Sequence, residues 1–325
     1  MRVLVTGGAG YVGSFTARHL ARCGHEVSVL DNLAEGHRES IEPSWLAVGE
    51  LSDRARVRAL LEERRIEGVL HFAAASRVGD SVRDPRHYYR NNVVGTLDLL
   101  ETLVDAGVSR IVFSSSCSVY GTAAEMPLRE AAALQPASPY AVTKYAIERA
   151  IEDFARAYGM AYALLRYFNA AGGASDGSHG EDHRPESHLV PMALVAARDG
   201  GEIAIFGDDY DTPDGTCIRD YVHVEDLADA HEKALVKLVP GSGQGSAYNL
   251  GTGTGSSVLD VLGAVERVTG RRVQRRMAAR RPGDVARLVA DPSRALRELG
   301  WKLRYPDLEP IVATAWAWHG ARGQY

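Results

Sequence analysis

Tyr140-Ala141-Val142-Thr143-Lys144 is the stretch of this chain with the clearest capacity for chemistry. On a helix, residues four apart share a face one turn apart, so the Tyr140 phenol and the Lys144 ammonium would be neighbours. A phenol ordinarily ionises near pH ~10, and a cation a few ångströms away favours its phenolate. The pair is therefore a candidate proton carrier at neutral pH. Lys144 is one of four lysines in a chain with thirty-three arginines, so a lysine at this spacing is not drawn from an abundant background. The same spacing also arises by chance on helix surfaces, and the pair gains meaning from its company. Twenty-four residues earlier stands Ser116, in Ser114-Ser115-Ser116-Cys117-Ser118-Val119-Tyr120-Gly121. Alone, Ser116 is a solvated loop hydroxyl; at the carboxyl edge of a strand it stands where ligands sit in an open α/β sheet.

A second motif, Thr6-Gly7-Gly8-Ala9-Gly10-Tyr11-Val12-Gly13, lies between an apolar strand and an amphipathic stretch. Gly7 permits a tight turn, Gly10 lets backbone approach a pyrophosphate, and Gly13 lets a helix pack on the sheet. The free N–H groups of the helix start would meet the phosphates. Asp31 follows Gly13 by eighteen residues and closes the second strand, where an acid binds the adenosine ribose. No arginine follows it directly, Arg38 being the nearest, so the pattern favours NAD over NADP.

These residues need a frame. Apolar runs at 2–6, 26–30, 45–48, 69–75, 110–116 and 161–168 read as strands. Stretches at 14–23, 55–65, 91–106 and 139–158 read as helices, with Gly24 and Gly107 closing the first and third and Pro139 in the first turn of the fourth. Strand–helix alternation of this kind implies right-handed crossovers and a parallel sheet covered on both faces. The expected class is α/β: a Rossmann-type doubly wound parallel sheet with a smaller mixed α/β substrate lobe. Residues 1–170 would form the NAD-binding unit, with 216–238 returning to it, and 171–325 the second lobe. Within the latter, 170–187 reads as a polar crossing loop. Helices are expected at 189–198, 225–238, 257–269, 294–299 and 310–319, with strands at 202–206, 219–224 and 247–250. The paired arginines after Gly270 read as a surface strand, and 321–325 as a frayed end.

The chain has 325 residues, 45% hydrophobic and 24% charged, with a net charge of −5. Those values fit a globular protein and argue against a nucleic-acid partner, which needs a basic face. Cys23, Cys117 and Cys217 form neither a disulfide framework nor a metal knuckle. With no signal-like segment and no apolar run near the roughly eighteen residues that span a bilayer, the reading is cytoplasmic, with no membrane partner.

A glycine-rich NAD turn, a strand-end serine and Tyr-x-x-x-Lys together resemble the extended short-chain dehydrogenase/reductase superfamily. More narrowly, those motifs with Arg166-Tyr167-Phe168-Asn169, Arg219-Asp220-Tyr221-Val222-His223-Val224, Arg280-Arg281-Pro282-Gly283-Asp284 and Trp316-Ala317-Trp318-His319 resemble the UDP-glucose 4-epimerases of the NAD-dependent epimerase/dehydratase family. The resemblance spans nearly the whole chain. It implies an isomerase with NAD as a bound cofactor, a UDP-hexose substrate, no catalytic metal, and a homodimer formed through the helices at 91–106 and 139–158.

It also implies residue roles. Tyr140 takes the proton of the sugar 4-hydroxyl, Lys144 lowers its pKa and holds the nicotinamide ribose, and Ser116 hydrogen-bonds the same hydroxyl. NAD would be held by Gly7, Gly10, Tyr11, Val12, Gly13, Asp31, Asn32, Glu50, Leu51, Phe72, Ala73, Ala74, Asn91, Ser114, Tyr140, Lys144, Tyr167 and Phe168. The UDP-sugar would meet Ser116, Ser118, Tyr140, Asn169, His188, Leu189, Ala204, Phe206, Arg219, Arg281, Asp284 and Leu288. Arg219 and Arg281 are the diphosphate clamps of that set, and Phe206 the uracil neighbour.

Three positions depart from the family pattern. Ser76 stands where some members have lysine, His188 where some have asparagine, and Leu288 where some glucose-only members have tyrosine. The smaller Leu288 leaves room for an N-acetyl group, so UDP-N-acetylhexosamines join the expected substrates. His179, Glu181, Asp182, His183, Glu186 and His188 read as a solvated polar loop rather than a metal site. Family dehydratases carry an Asp-Glu pair where this chain has Cys117-Ser118. UDP-uronate or UDP-pentose 4-epimerisation stays open, as does, more remotely, a non-catalytic NAD-binding protein on the same fold.

Overall fold

The protein is described here by a computed structural model covering residues 1–122, 125–281 and 284–321. Pro282 and Gly283 of the arginine-rich motif, and residues 322–325 of the end read as frayed, lie outside the described residues. The chain begins β1 (Arg2–Thr6), α1 (Tyr11–Arg22), β2 (Glu26–Asp31), β3 (Leu46–Val48), α2 (Arg54–Glu63) and β4 (Gly68–His71). It continues through α3 (Val78–Arg83), α4 (Pro85–Tyr88), α5 (Gly95–Asp105), β5 (Arg110–Ser116), α6 (Pro139–Tyr158), β6 (Ala161–Tyr167) and β7 (Asn169–Ala171). Then come α7 (Leu189–Asp199), β8 (Glu202–Phe206), β9 (Ile218–His223), α8 (Val224–Lys237), β10 (Gly245–Leu250), β11 (Gly255–Ser257) and α9 (Val258–Thr269). The last elements are β12 (Gln274–Ala278), β13 (Arg287–Leu288), α10 (Ser293–Glu298) and α11 (Leu308–Ala321).

Seven strands form one parallel sheet in the order β3-β2-β1-β4-β5-β6-β10. Strand side chains alternate in direction, and both faces are buried, so the strands carry apolar residues on both faces, with polar ones mainly toward the carboxyl ends. Val3, Val5, Val29, Val112 and Leu165 face α1 and α8. Leu4, Leu30, Val69, Ile111, Phe113 and Leu164 face α2, α5 and α6. Burying such a side chain contributes about 1.5–3 kcal/mol, which makes the register of this sheet costly to shift. A second core packs α7, α9 and α11 together with Ile203, Ile205 and Tyr221. Beside it β9 pairs with β7, β11 and β13, and β8 pairs with β12.

The structure corrects several boundaries. The fourth strand stops at His71, not residue 75: the N–H groups of Phe72 and Ala73 both turn to the Thr6 carbonyl, at 2.9 and 3.1 Å, and the chain leaves the ladder to wrap the glycine turn. The helix read as 91–106 begins earlier, at Pro85, with Asp84 accepting from the His87 N–H. It passes through a wide turn at Tyr89–Val94 before α5. The polar crossing loop starts with a strand, β7, since residue 169 continues directly into the small sheet. The strand expected to return to the first unit with 225–238 does not join the large sheet; β9 centres the small one, while α8 packs on α1. Conversely, β10, placed by sequence in the second lobe, completes the large sheet beside β6. Strand order depends on pairing partners far apart in the chain, and no local periodicity carries it.

Candidate active site

A cavity of about 530 Å³ lies beyond the carboxyl ends of β1, β2, β4, β5 and β6. The strand order reverses direction between β1 and β4, the point where open α/β sheets receive ligands. Three glycines form one end. Gly7 has φ of +69°, and a Cβ there would fall 2.5 Å from the Ala73 nitrogen. A Cβ on Gly13 would fall 2.3 Å from the Gly7 oxygen. Both glycines are thus fixed by the turn's own packing. Gly10 is different: a Cβ there would meet only the Gly7 oxygen, at 3.4 Å. It caps the start of α1, with no side-chain cap, and lines the cavity. The turn's own packing does not require glycine at that position, which leaves the backbone open to the cavity, and the bare helix N-terminus suits a phosphate.

This contrast gives a test. Gly13→Ala is expected to destabilise the fold by a few kcal/mol, since the clash is with backbone. Gly10→Ala is expected to unfold like the parent but bind NAD at least about tenfold more weakly, roughly 1.4 kcal/mol. Thermal unfolding and fluorescence titration with NAD read the two effects separately; equal losses of stability would refute the distinction.

Asp31 is buried at the end of β2. Its two oxygens accept from the N–H groups of Ala9 (2.9 Å) and Leu33 (2.8 Å), which aims the carboxylate into the cavity wall. Burial raises its pKa, opposed by those two hydrogen bonds. Asn32 donates to both Glu50 oxygens at 3.2 Å. Small side chains at Ala73, Ala74 and Ala75 form the floor, and Asn92 clamps Ala75 by accepting from its N–H (2.8 Å) and donating to its carbonyl (3.0 Å). An open glycine at a helix start, an oriented acid and a floor of alanines fit a dinucleotide.

At the other end, α6 begins with the Ser138 hydroxyl accepting from the Ala141 N–H at 3.2 Å and ends at Gly159 in the left-handed region. Tyr140 and Ser116 both line the cavity, and the Ser116 hydroxyl is near enough to the Tyr140 phenol to draw its pKa down. The Ser116 Oγ also accepts from the Ser118 N–H at 3.2 Å, which holds it at the strand end. The Ser118 hydroxyl is buried without a partner among the described residues and lines the same wall. Tyr167 hydrogen-bonds Ser114 at 2.6 Å.

Lys144 is buried behind this wall. Its Nζ donates to the Ser114 carbonyl at 2.8 Å and lies 5.9 Å from the Tyr140 ring centroid. Burial lowers its pKa to about 7, and Glu148, one turn further on, works the other way. The expectation that Lys144 depresses the Tyr140 pKa is corrected: the phenol is pushed up from its usual value. Dehydration is the main cause, the Tyr167 phenol adds to it, and the nearby Ser116 hydroxyl opposes it. An ammonium turned to a strand carbonyl and itself starved of water cannot offset that loss.

Of the remaining candidates, Tyr11, Val12, Leu51, Phe72, Asn91, Phe168, Asn169, His188, Leu189, Arg219 and Leu288 line the cavity. Ser114, Lys144, Ala204, Phe206, Arg281 and Asp284 are not among its lining residues. Arg281 stacks on the Phe206 ring at 3.8 Å, and Asp284 pairs with Arg219 at 3.4 Å. Phe206 and Arg281 thus pair with each other, and Asp284 with the cavity residue Arg219. The polar loop is less solvated than its composition suggests: Glu181 and His179 are buried, the latter 2.7 Å from the Ser14 hydroxyl.

Sequence reasoning passed over a buried network behind Ser116. Glu148 accepts from Ser115 and from Arg166 at 3.0 and 2.6 Å. Arg166 donates to the Tyr120 hydroxyl (3.0 Å), which donates to Asn249 (2.7 Å). The signal was available: Glu148 follows Tyr140 and Lys144 at helical spacing, a carboxylate on a buried face. Arg90 and Tyr221 also line the cavity without having been singled out.

Residues 3–251 match the model of the NAD dependent epimerase/dehydratase family. The chain belongs to that family. This epimerase/dehydratase chain is 46% identical over 321 residues to the UDP-glucose 4-epimerase of Lactobacillus helveticus, covering 98% of this chain and 97% of the relative. The UDP-glucose 4-epimerase of Brucella ovis, solved in complex with NAD, superposes with a TM-score of 0.93 at 45% identity, covering 98% of both chains. A UDP-glucose 4-epimerase from Stenotrophomonas maltophila, solved with NAD and formylated UDP-arabinopyranose, superposes at 0.94 with 40% identity over 99% of this chain and 98% of that one. The family read from the motifs is the family matched, and the Rossmann-type sheet is common to them.

Proposed function

We propose that this protein is an NAD-dependent isomerase that interconverts UDP-glucose and UDP-galactose through a 4-keto sugar. The observation that carries the reading is one cavity lined at one end by the glycine turn and at the other by Ser116 and Tyr140. It is supported by full-length relatives that are UDP-glucose 4-epimerases. Gly7, Gly10, Asp31, Asn32, Phe72–Ala74 and Asn91 would hold NAD, which when bound supplies the hydride acceptor and donor and a positively charged nicotinamide.

The chain's own residues supply the rest. Tyr140 removes the proton from the sugar 4-hydroxyl and returns it after the sugar has presented its other face. Ser116 keeps a hydrogen bond to the same oxygen as it becomes a ketone. A buried phenol with a raised pKa holds its proton tightly at rest, so to act as a base at neutral pH it needs added positive charge near it. Arg219 lines the cavity and supplies a cation for the diphosphate.

A second reading, UDP-pentose 4-epimerisation, is favoured by the arabinopyranose-bound relative. Separate incubations with UDP-galactose, UDP-N-acetylgalactosamine, UDP-glucuronate and UDP-xylose decide between them. Conversion of UDP-galactose to UDP-glucose is expected; conversion of UDP-xylose alone would overturn the first reading.

UDP-N-acetylhexosamines are proposed as additional substrates because Leu288, on β13, lines the cavity. Leu288→Tyr is expected to cut kcat/KM for UDP-N-acetylgalactosamine about tenfold or more relative to UDP-galactose, the scale at which pockets discriminate by size. An unchanged ratio, or no N-acetyl turnover in the parent, rejects the idea. We further propose a homodimer packed through α5 and α6, a division into an NAD-binding unit at 1–170 completed by α8 and β10 and a UDP-sugar lobe, and a cytoplasmic location. The last is supported by three free cysteines. Among the described residues no helix is long and apolar enough to cross a membrane.

A further inference from the structure

Four side chains from one eight-residue loop segment converge beside the cavity. The Nδ1 of His183 lies 3.1 Å from Glu181 Oε1 and 3.7 Å from Glu186 Oε1. The Nδ1 of His188 touches the same Glu181 oxygen and lies 4.0 Å from Glu186 Oε1. One donor atom from each residue falls within 4.8 Å of all the others. The two rings meet edge to face, with centroids 5.3 Å apart, so both nitrogens point into the same small volume. The Ser187 and His188 N–H groups hold Glu186 Oε1 at 2.7 and 2.9 Å, which fixes that carboxylate's aim. Glu181 is 2% exposed, and among the described residues neither glutamate has an arginine or lysine partner within ion-pair distance.

We propose that Glu181, His183, Glu186 and His188 form a binding site for a divalent transition-metal ion of the zinc class. Ligands about 2.1 Å from a tetrahedral ion sit about 3.4 Å from one another, and the observed separations bracket that edge. The donor set also selects the ion: imidazole suits zinc or cobalt, whereas calcium and magnesium take oxygen ligands. Two carboxylates and two neutral imidazoles neutralise a dication, and metal entry releases whatever protons the imidazoles carry. Four protein ligands close the coordination sphere, so the site holds an ion without offering it to a substrate. His183 and His188 also line the cavity, so an ion there would fix that part of its wall.

The proposal is tested without reference to turnover. Full-length protein, freed of metal by chelator, is titrated with zinc by calorimetry and with cobalt(II) by visible absorption. The expected result is one ion per chain, micromolar or tighter, with the intense visible bands of tetrahedral cobalt. His183→Ala and Glu186→Gln, made separately so that one readable variant remains if the other misfolds, are each expected to weaken binding at least about tenfold. His19, Cys23 and Glu232 form the other cluster with converging donor atoms among the described residues, so Cys23→Ser is the control and should bind zinc like the parent. No saturable binding, six-coordinate cobalt, unchanged affinity in the folded His183 and Glu186 variants, or loss of binding in Cys23→Ser would each overturn the assignment.

Discussion

Tyr140→Phe is expected to lose about a thousandfold in turnover, near 4 kcal/mol of barrier, while NAD and UDP still bind. The ring stays, and with it the packing of the first turn of α6; only the hydroxyl is removed from the cavity wall. Proton transfer by a positioned side chain typically contributes a hundred- to ten-thousandfold. The Cys117 thiol, the titratable neighbour of Ser116 in the same wall, is pushed up to about 12 by burial. His71, a fully buried imidazole of the core, is committed to Thr6 and Thr96, and burial lowers its pKa to about 3. Initial rates with UDP-galactose, alongside titration with NAD and UDP, separate chemistry from binding. A variant that turns over within a fewfold of the parent would remove Tyr140 from the proton path.

The second large effect concerns stability. Arg166→Met is expected to lower unfolding free energy by about 3–5 kcal/mol, because it strands a buried carboxylate. Arg166 and Glu148 are 4% and 1% exposed, and their ion pair is 2.6 Å long. Without the guanidinium, Glu148 keeps, among the described residues, only the Ser115 hydroxyl as a hydrogen-bond partner, and Tyr120 loses a donor. Adding Glu148→Gln should restore much of the loss, since no bare charge then remains buried. Urea denaturation of the two variants and the parent reads this directly. A single variant as stable as the parent, or a double variant no better than the single, would show that the pair does not act as a buried charge couple.

What the sequence revealed follows from what is local. The span of α6 is readable because Pro139, the apolar period and Gly159 all lie within the segment itself. β5 and β8 are readable for the same reason: a short apolar run states its own limits. The glycine turn could be assigned role by role, and the structure separates Gly10 from Gly7 and Gly13 along the same line. Tertiary pairing is where local reasoning ended. β7, β11 and β13 are two or three residues long and exist only because β9 lies beside them. Nothing near residue 245 says that its partner is Tyr162. The electrostatics of Tyr140 also needed the fold, since spacing gives the nearness of Lys144 but not its orientation toward Ser114 or the depth of burial. Ala204, Phe206 and Asp284 were named by motif, and only coordinates show that they stand apart from the cavity surface.

Between β6 and β7 there is a single residue, Phe168, and the extended chain passes from the large sheet into the small one without a loop. β10 then comes back, after β9 and α8, to complete the large sheet. The two halves are therefore sewn together rather than hinged. A fragment cut after residue 170 would expose the face of α1 that α8 covers and leave β6 as a bare edge, so neither half is a module that evolution or a cloning experiment can move alone. Whatever turning a bound sugar undergoes must be accommodated by side chains and loops within a nearly fixed frame.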